Sequence, residues 1–384
     1  MKEKVLILAS VASMIDQFNI PNIKLLQSMG YEVHVACNFE KGNSCSFDKI
    51  QMLKELLNKL NVKYFQINFE RNILKLGNNL KAYKEVKKLL IENKYKFLHC
   101  HSPIGGVVGR IAGYKTQTKV IYTAHGFHFF KGAPLINWLL YYPIEKYLSK
   151  YTDILITINQ EDYKKAQTFY AKKVKYIPGV GIDTEKIKNI VVDKKKKREE
   201  LGLTEENIVL LSVGELNKNK NHSIVIKALS KLNNSNIHYL ICGQGKLKEE
   251  LLNLIKKLNL ERNVKLLGFR KDVYELCKIS DIFIFPSKRE GLGLAALESM
   301  CSGLPLISSN IHGIKDYSVD KKTGYCIDNF DINKFEKAIE KLTYDKELRQ
   351  KMGNYNKKMA EKFDIRNIEE KMKKIYIGVA DAFI

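Results

Sequence analysis

Short apolar runs alternate with polar stretches in which apolar residues recur at helical spacing, and this pattern continues along most of the chain. Such alternation is typical of parallel strands joined by crossover helices. The first half predicts strands at 4–10, 32–38, 63–68, 96–102, 119–125 and 153–159. The second half predicts strands at 208–214, 237–243, 263–268, 281–287, 304–310 and 324–328. We therefore expect an α/β protein built from two doubly wound parallel sheets.

Helical periodicity and turn residues complete this outline. The clearest helices are predicted at 17–29, 79–93, 134–150, 193–200 and 365–384. The segment 173–187 contains a predicted strand that ends in a proline and two glycines, so we place the domain boundary there, between a first domain at 1–183 and a second at 184–364. Ligands of doubly wound sheets bind beyond the carboxyl ends of the strands. Functional residues are therefore expected just after each strand run, facing a cleft between the domains.

Length and composition agree with this outline. The chain has 384 residues, of which 45% are hydrophobic and 28% charged, as in ordinary globular domains. No apolar run reaches the roughly 18–20 residues that a membrane span needs. The opening MKEKVLILASVASMI has the composition of a buried strand or of a signal peptide, and the turn and helix signals that follow favour the strand. Seven scattered cysteines without a C-x-x-C pair favour reduced thiols in a cytoplasm over disulfides or a zinc site.

The net charge of +23 changes this ordinary picture. Residues 51–150 hold 17 basic and 5 acidic residues, a net charge of +12, whereas residues 201–384 hold 31 and 24, a net charge of +7. Such a bias favours an anionic partner for the first half, namely a membrane surface, a diphosphate or a nucleic acid. A solvated lysine-rich surface without a partner is the alternative.

The segment REGLGLAALESM at 289–300 carries the first candidate chemistry. Gly291 and Gly293 allow a tight turn and a close approach of the backbone to a ligand. A helix that starts near Leu294 would direct its free N–H groups and its positive dipole end into that turn, which favours an anion. Ionised Glu290 and Glu298 can accept hydrogen bonds from sugar hydroxyls and from a ribose diol. Considered alone, the two carboxylates are better explained as a local cap or ion pair at Glu290 and a surface helix residue at Glu298.

Two further strand ends strengthen the case for a nucleotide diphosphate site. LSVGELNKNKNH at 211–222 ends a strand at Gly214 and brings Lys218 and Lys220 toward a helix start, where a lysine can hold a diphosphate. ICGQGKL at 241–247 ends the next strand at Gly243. Glycine thus follows three strands of the second half, and two of these turns also carry charge.

Histidines follow two strands of the first half, in HCHSP at 99–103 and YTAHGFHFF at 122–130. A metal site, a packed structural role and a polar contact to substrate are all open for them, although no carboxylate or thiolate pattern accompanies them. No two aspartates in the chain are separated by one residue, so a D-x-D metal-diphosphate motif is absent.

With these residues in view, the whole chain resembles glycosyltransferase family 4. The resemblance rests on VGELNKNKN, ICGQG, LLGFRKDV and FPSKREGLGLAALESMCSGLPLI in the second half, and on HCHSPIGGVVGRIAG, VIYTAHGFHFFKGAPL and YIPGVGIDTEKI in the first. The first-half segments look especially like the branch that builds bacterial exopolysaccharide and capsule. The resemblance implies the GT-B fold, with two Rossmann-like domains that face a central cleft and a C-terminal helix at 365–384 that returns to the first domain.

The resemblance also implies roles for single residues. Glu290 would contact the donor sugar, Glu298 the nucleotide ribose, Lys220 the leaving diphosphate, and His125 the reacting sugar; of these we expect His125, Lys220 and Glu290 to be catalytic. Further donor contacts are expected at the following positions: Gly214, Gly243, Arg270, Gly291, Leu292, Gly293 and Leu294. His101 and Ser10 are expected to contact the acceptor.

Two departures from the family pattern stand out. The arginine that usually accompanies the diphosphate lysine is Glu215 here, so Arg270, Lys246 or Lys218 would have to replace it. The glycine-rich loop that is common after the first strand is replaced by SVASMIDQ at 10–17, which leaves the Ser10 hydroxyl or plain backbone for any contact there.

The function implied is transfer of a hexose or N-acetylhexosamine from a UDP-sugar, with retention of configuration, to a sugar acceptor linked to polyprenyl diphosphate. No metal or other cofactor is expected. We expect a cytoplasmic enzyme peripheral to the inner face of the cell membrane, where 127–151, rich in aromatic residues and lysine, would meet anionic lipid. The apolar residues of 134–148 would also suit a helix packed on its own sheet.

Two other functions compete with transfer. A sugar-nucleotide 2-epimerase of the same fold would release a changed UDP-sugar without an acceptor, but acidic pairs suited to proton transfer at the sugar are missing from the sequence. A basic nucleic-acid-binding protein would need a recognisable module or a stacking platform, and the lysines are not interleaved with one. Donor sugar, acceptor sugar and linkage are left open.

Overall fold

The structure is a computed structural model that describes residues 2–43, 45–70, 76–101, 103–328 and 330–380. Its internal contacts divide the chain into two compact units. The first unit comprises 1–180 and 366–384, and the second comprises 181–365. Each unit is built around its own parallel sheet with helices between the strands.

The first unit has seven strands within the described residues, and all neighbours run parallel. They are β1 (Lys4–Val11), β2 (Glu32–Asn38), β3 (Lys63–Gln66), β4 (Phe97–His101), β5 (Lys119–Ala124), β6 (Ile154–Thr157) and β7 (Lys173–Tyr176). Their order is β3-β2-β1-β4-β5-β6-β7, so the chain winds outward from β1 and then, from β4, in the opposite direction. The crevice beyond β1 and β4 is where such a sheet presents its ligand site.

Helices cover both faces of this sheet. They are α1 (Ala12–Phe18), α2 (Ile20–Ser28), α3 (Phe47–Lys59), α4 (Leu76–Asn93), α5 (Ile104–Thr116), α6 (Leu135–Leu148) and α7 (Gln160–Ala166). The prediction of one helix at 17–29 is wrong, because α1 and α2 are separated at Asn19. Pro21 lies in the first turn of α2, where its missing N–H is not needed, and its ring would disturb a helix that continued from α1.

The second unit repeats the design with six parallel strands in its described residues. They are β8 (Ile208–Val213), β9 (Ile237–Cys242), β10 (Val264–Gly268), β11 (Ile282–Phe285), β12 (Leu306–Ser309) and β13 (Gly324–Ile327). Their order is β10-β9-β8-β11-β12-β13. The predicted fold class, two doubly wound parallel sheets, is thus confirmed.

The helices of the second unit complete its two layers. They are α8 (Thr184–Lys188), α9 (Lys194–Glu200), α10 (His222–Leu232), α11 (Lys248–Lys257), α12 (Val273–Ile279), α13 (Leu294–Cys301), α14 (Ile332–Tyr344) and α15 (Lys346–Ala360). The central strand β8 and its neighbours bury Leu210, Ile241 and Ile284 against α10 and α14. Burial on both faces explains why these strands are continuous apolar runs in the sequence.

The last helix, α16 (Ile365–Ala380), packs in the first unit. Ile368, Met372, Ile375 and Tyr376 join the core formed by β1 and β2. The helix was predicted at 365–384, and its last four predicted residues lie outside the described part of the chain. No helix among the described residues is both long enough and apolar enough to cross a membrane.

Candidate active site

The turn predicted to hold an anion lies between β11 and α13 in the second unit. Gly293 is the N-cap of α13 with φ of 92°, a left-handed conformation that favours glycine. A Cβ atom there would lie 2.6 Å from the Phe285 ring and 2.9 Å from the Tyr317 hydroxyl. Tyr317 donates a hydrogen bond of 2.8 Å to the carbonyl of Leu292, and this bond holds the turn in place. The free N–H groups at the start of α13 therefore have a defined direction, beginning at Leu294 as predicted.

Lys220 and Glu290, predicted separately from two strand ends, form an ion pair. The Lys220 ammonium lies 2.6 Å from Glu290 Oε1, and the two side chains are 19% and 13% exposed. Lys220 also lies 4.8 Å from the centre of the Phe285 ring. A pair with this partial exposure can be reached by a ligand, whereas a fully covered pair cannot.

Backbone and amide groups hold the two loops of this pair together. The Lys220 N–H donates to Asn217 Oδ1 at 2.9 Å. Asn219 accepts a hydrogen bond from the Lys288 N–H at 2.7 Å and donates through Nδ2 to the Arg289 carbonyl at 2.9 Å. Asn217 and Asn219 were not among the predicted site residues. Asparagine one and three positions before Lys220 is nevertheless a sequence signal for a hydrogen-bonded turn.

Glycine is needed where β8 and β9 end side by side. A Cβ atom on Gly243 would lie 1.9 Å from the Gly214 carbonyl oxygen, which is closer than any side chain allows. The Gly243 N–H donates to the Gly268 carbonyl at 2.7 Å, so the ends of three neighbouring strands are joined here. The methylene groups of Lys220 cross close to Gly214. Both glycines thus lie at packed strand ends close to Lys220, and their contact with a donor stays a prediction.

Glu298 lies in α13 and has a partner that the sequence did not indicate. Tyr274 of α12 donates a hydrogen bond of 3.0 Å to Glu298 Oε1. Burial raises the pKa of the Glu298 carboxyl, while the bond from Tyr274 and the charge of Lys186 oppose that rise. One carboxylate oxygen is therefore occupied by a phenol, and the other has no hydrogen-bond partner among the described residues.

The three candidates for the missing diphosphate cation are placed differently. Arg270 forms a two-pronged ion pair with Asp272, at 2.8 and 2.5 Å, and Asp272 is also paired with Lys197 at 2.6 Å. The guanidinium of Arg270 is thus largely neutralised, which weakens the prediction that it binds the donor. Lys218 and Lys246 are exposed and have no ion-pair partner among the described residues.

The histidines that follow strands of the first unit come together in the structure. His101, at the end of β4, and His125, just after β5, share a hydrogen bond of 2.9 Å between Nδ1 and Nε2, respectively. His99 bonds Tyr376 of α16 through Nδ1 at 2.9 Å and Thr123 through Nε2 at 2.8 Å. Burial lowers the pKa of His99 to about 3 and that of His125 to about 4, and it lowers the pKa of His101 well below its ordinary value.

The remaining first-unit candidates are more enclosed than expected. His101 is 1% exposed and Ser10, at the end of β1, is 5% exposed. The start of α5 closes over Ser10, because a Cβ atom on Gly105 would lie 3.0 Å from the Ser10 nitrogen. A pocket of about 30 Å³, enough for a water molecule but not for a sugar ring, borders His101 and His125. No group of three or more His, Cys, Asp and Glu side chains in the described residues is arranged to hold a metal ion.

The fold and these sites define the class of the protein, an α/β glycosyltransferase with one doubly wound sheet in each half. Two family descriptions match the chain, Glycosyl transferase 4-like over residues 4–159 and Glycosyl transferases group 1 over residues 193–359. The chain therefore belongs to the family of group 1 and 4-like glycosyltransferases. This assignment agrees with the resemblance to glycosyltransferase family 4 in the sequence.

Individual proteins agree with this assignment. The chain is 35% identical to EpsD of Bacillus subtilis strain 168, named as a glycosyltransferase, over 99% of this chain and 98% of EpsD. It is 30% identical to the UDP-Gal:alpha-D-GlcNAc-diphosphoundecaprenol alpha-1,3-galactosyltransferase of Escherichia coli, over 97% and 95% of the two chains. Among solved structures, HepE of Anabaena in complex with UDP has a TM-score of 0.79 at 20% identity, covering 98% of this chain and 100% of HepE. That structural likeness concerns the fold.

Proposed function

We propose that this glycosyltransferase moves a hexose or N-acetylhexosamine from a UDP-sugar to a sugar carried on polyprenyl diphosphate, in bacterial exopolysaccharide or capsule synthesis. The observation that carries the proposal is the partly exposed Lys220–Glu290 pair beside the glycine turn. The Escherichia coli relative, at 30% identity over nearly the whole chain, is named for a UDP-sugar donor and a diphosphoundecaprenol-linked acceptor. That name supports the same two substrate classes here.

The second unit offers matching groups for each part of a UDP-sugar. Glu290 accepts hydrogen bonds from hydroxyls of the transferred sugar, and the free oxygen of Glu298 accepts from the ribose diol. The N–H groups at the start of α13 and the Lys220 ammonium stabilise the diphosphate. Lys218 and Lys246 are the exposed cations that compensate for Glu215 at the position usually held by arginine.

The proposed reaction needs charge stabilisation more than it needs a protein nucleophile. The bond between the sugar C1 and the diphosphate oxygen breaks, and the acceptor hydroxyl oxygen forms a new bond to C1 on the same face. The hydroxyl proton passes to the departing diphosphate, so UDP leaves with retention of configuration. Lys220 and the α13 N-terminus supply the positive electrostatic environment for that departure, and no divalent metal is required.

A direct assay tests this proposal. The protein is incubated with a panel of UDP- and GDP-sugars, with and without a GlcNAc-diphosphate-lipid acceptor, and UDP release is measured in EDTA and in Mg²⁺. We expect acceptor-dependent UDP release that survives EDTA and a product whose anomeric configuration, by NMR, matches the donor. A changed UDP-sugar released without acceptor would indicate an epimerase. Strict dependence on Mg²⁺ or Mn²⁺ would overturn the metal-free mechanism, and inversion would overturn retention.

Because the proposed acceptor is lipid-linked, we propose that α6 contacts the membrane as well as its own sheet. Its inner side packs in the unit: Trp138, Tyr141 and Tyr142 contact the sheet core, and Leu148 is buried. Its outer side is apolar yet exposed, with exposed fractions of 80% for Leu135, 65% for Ile136, 75% for Leu139 and 39% for Leu140. The helix therefore fits both earlier expectations at once, because one side packs on its sheet and the other is free to enter a lipid headgroup layer.

The charge near this outer side supports anionic lipid as its partner. Lys131 and Lys150 are exposed near the two ends of α6, and the surrounding segment 51–150 carries a net charge of +12. Each basic residue close to an anionic surface adds about 1 kcal/mol of binding, which a few leucines complement. Peripheral docking on the inner face of the membrane would bring the enzyme to a polyprenyl-linked acceptor.

Vesicle binding tests the docking surface. Sedimentation with phosphatidylglycerol vesicles is expected to capture the native chain at low salt and to weaken at high salt. The double variant Leu135→Ser, Leu139→Ser should bind at least about tenfold more weakly. The control is Ile91→Ser on α4, which removes an apolar residue of 57% exposure from the same unit. Equal binding to neutral vesicles would remove the electrostatic argument, and a double variant that binds like the control would remove α6.

A further inference from the structure

The histidine pair of the first unit poses a question of proton position. His101 Nδ1 and His125 Nε2 lie 2.9 Å apart, and a hydrogen bond between two imidazole nitrogens needs one proton between them. Burial keeps both rings neutral near pH 7, so each carries one N–H. Only two arrangements are possible: either His101 donates to His125, or His125 donates to His101.

The second nitrogen of His101 distinguishes the two arrangements. His101 Nε2 is buried and has no hydrogen-bond partner among the described residues. If His125 donated, the proton of His101 would be on Nε2, and a buried N–H without an acceptor would result. If His101 donates from Nδ1, Nε2 carries only a lone pair in a pocket lined by Ile156, Ile158 and Ile177. Orphaned buried N–H groups are rare in folded proteins, so the arrangement in which His101 donates to His125 has the lower free energy.

The surroundings of His101 hold its ring in this orientation. His101 lies opposite Thr123 in the register of β4 and β5, and the rings of His99 and His101 are 4.3 Å apart. His99 is itself fixed at both nitrogens, by Tyr376 of α16 and by Thr123. Tyr376 is fully buried. The C-terminal helix thus braces His99, and His99 braces the ring that contacts His125.

We propose that His101 is a positioning residue that locks His125 in the Nδ1–H tautomer, so that His125 presents a hydrogen-bond donor to an oxygen of a bound sugar. His125 is partly exposed, unlike His101, and its Nδ1 has no hydrogen-bond partner among the described residues. The identity of that oxygen rests on the proposed function; the tautomer does not.

The tautomer is measured without any substrate. The chain contains eight histidines, and ¹⁵N-histidine labelling followed by long-range ¹H–¹⁵N NMR at pH 7 reports which ring nitrogen of each carries the proton. His125→Asn assigns the His125 signals by their loss. We expect a protonated, pyrrole-type Nδ1 and a bare, pyridine-type Nε2 for His125. A protonated Nε2 in the native chain would overturn the proposal, and this result depends on no variant.

The variant His101→Leu tests the lock and its consequence. The leucine side chain cannot donate a hydrogen bond to His125 Nε2, so His125 should return to the Nε2–H form that a free neutral imidazole prefers. The acceptor-dependent kcat/KM should then fall roughly threefold to tenfold, which corresponds to the loss of one neutral hydrogen bond. An unchanged Nδ1–H signal would show that His101 does not set the tautomer. A switched tautomer with unchanged kcat/KM would show that His125 donates to no sugar. If the native chain itself showed no sugar transfer, the proposed function would be contradicted, but the tautomer measured in the native chain would still test the role of His101.

Discussion

Each unit contains a close ion pair that involves a glutamate, and the two pairs differ in what surrounds them. In the first unit, Arg110 of α5 lies 2.8 Å from Glu145 of α6. The arginine is completely buried, with its guanidinium carbon Cζ 4.0 Å from the centre of the Tyr122 ring. In the second unit, the Lys220–Glu290 pair is shorter, at 2.6 Å, but its side chains keep 19% and 13% of their exposure.

The difference supports a structural role for the first pair and the proposed ligand-binding role for the second. Arg110 Nε also donates to the Gly106 carbonyl at 2.9 Å, and Tyr122 donates to Glu145 Oε1 at 2.9 Å, so each partner of that pair has a further hydrogen bond within the unit. Such a network ties α5, α6 and β5 together. Lys220 and Glu290 instead lie on turns beside glycines, where a charged ligand can replace one partner with its own groups. The distances alone, 2.8 and 2.6 Å, do not reveal this difference.

The largest expected effect concerns the buried pair. Arg110→Met leaves Glu145 as a buried charge without its partner, so the free energy of unfolding should fall by about 3–5 kcal/mol. Urea denaturation followed by fluorescence measures it, because the chain has a single tryptophan, Trp138, which lies on α6 in the first unit. The double variant Arg110→Met, Glu145→Leu should recover most of the loss. A single variant as stable as the native chain would remove the structural role of this pair.

The same chemical change at Lys220 should act on activity. Lys220→Met removes the charge that we propose to stabilise the leaving diphosphate, so the rate of sugar transfer should fall by about 10²-fold or more. Glu290→Gln should cause a loss of similar size. The melting temperature should stay within a few degrees of the native value, since both side chains retain contact with water. Glu340→Gln, an exposed change on α14, is the control. If Lys220→Met unfolded the chain instead, the contrast between the two pairs would be lost.

This contrast also separates what the sequence could predict from what it could not. The strand ends and the start of α13 at Leu294 follow from local signals in the sequence. These signals are the apolar runs of the strands, the glycines that follow them and the helical spacing of apolar residues after Gly293. The Lys220–Glu290 contact follows less directly, because the carboxyl ends of neighbouring strands β8 and β11 meet at one edge. The Arg110–Glu145 and His99–Tyr376 contacts join residues that no such rule for strand ends relates, and no local spacing encodes them. The functional roles of all these residues stay predictions.

Acid should weaken the first unit through its buried imidazoles. The pKa of His125 is lowered to about 4 and that of His99 to about 3, so below pH 6.5 the unfolded chain binds more protons than the folded one. The stability that each group contributes is therefore fully present above pH 6.5 and decreases as the pH is lowered. For His125 this loss is on the order of 1–2 kcal/mol near pH 5. Thermal unfolding followed by Trp138 fluorescence at pH 7 and pH 5 measures the decline. His125→Asn should reduce it, and an unchanged pH dependence in that variant would contradict the burial of a neutral His125.

The smallest expected effect comes from two tyrosines that perform the same task in the two units. Tyr122 donates a hydrogen bond to Glu145, and Tyr274 donates one to Glu298 at nearly the same length. Removing either hydroxyl costs about 1 kcal/mol, but the loss should appear in different measurements. Tyr122→Phe should lower the free energy of unfolding and leave the KM for the UDP-sugar unchanged. Tyr274→Phe should raise that KM roughly fivefold with little change in kcat, because the Glu298 carboxylate, which we propose to bind the ribose, loses its fixed orientation while Lys220 is unchanged. Should both variants lose only stability, Glu298 would belong with Glu145 as a structural carboxylate, and the donor site would have to be assigned without it.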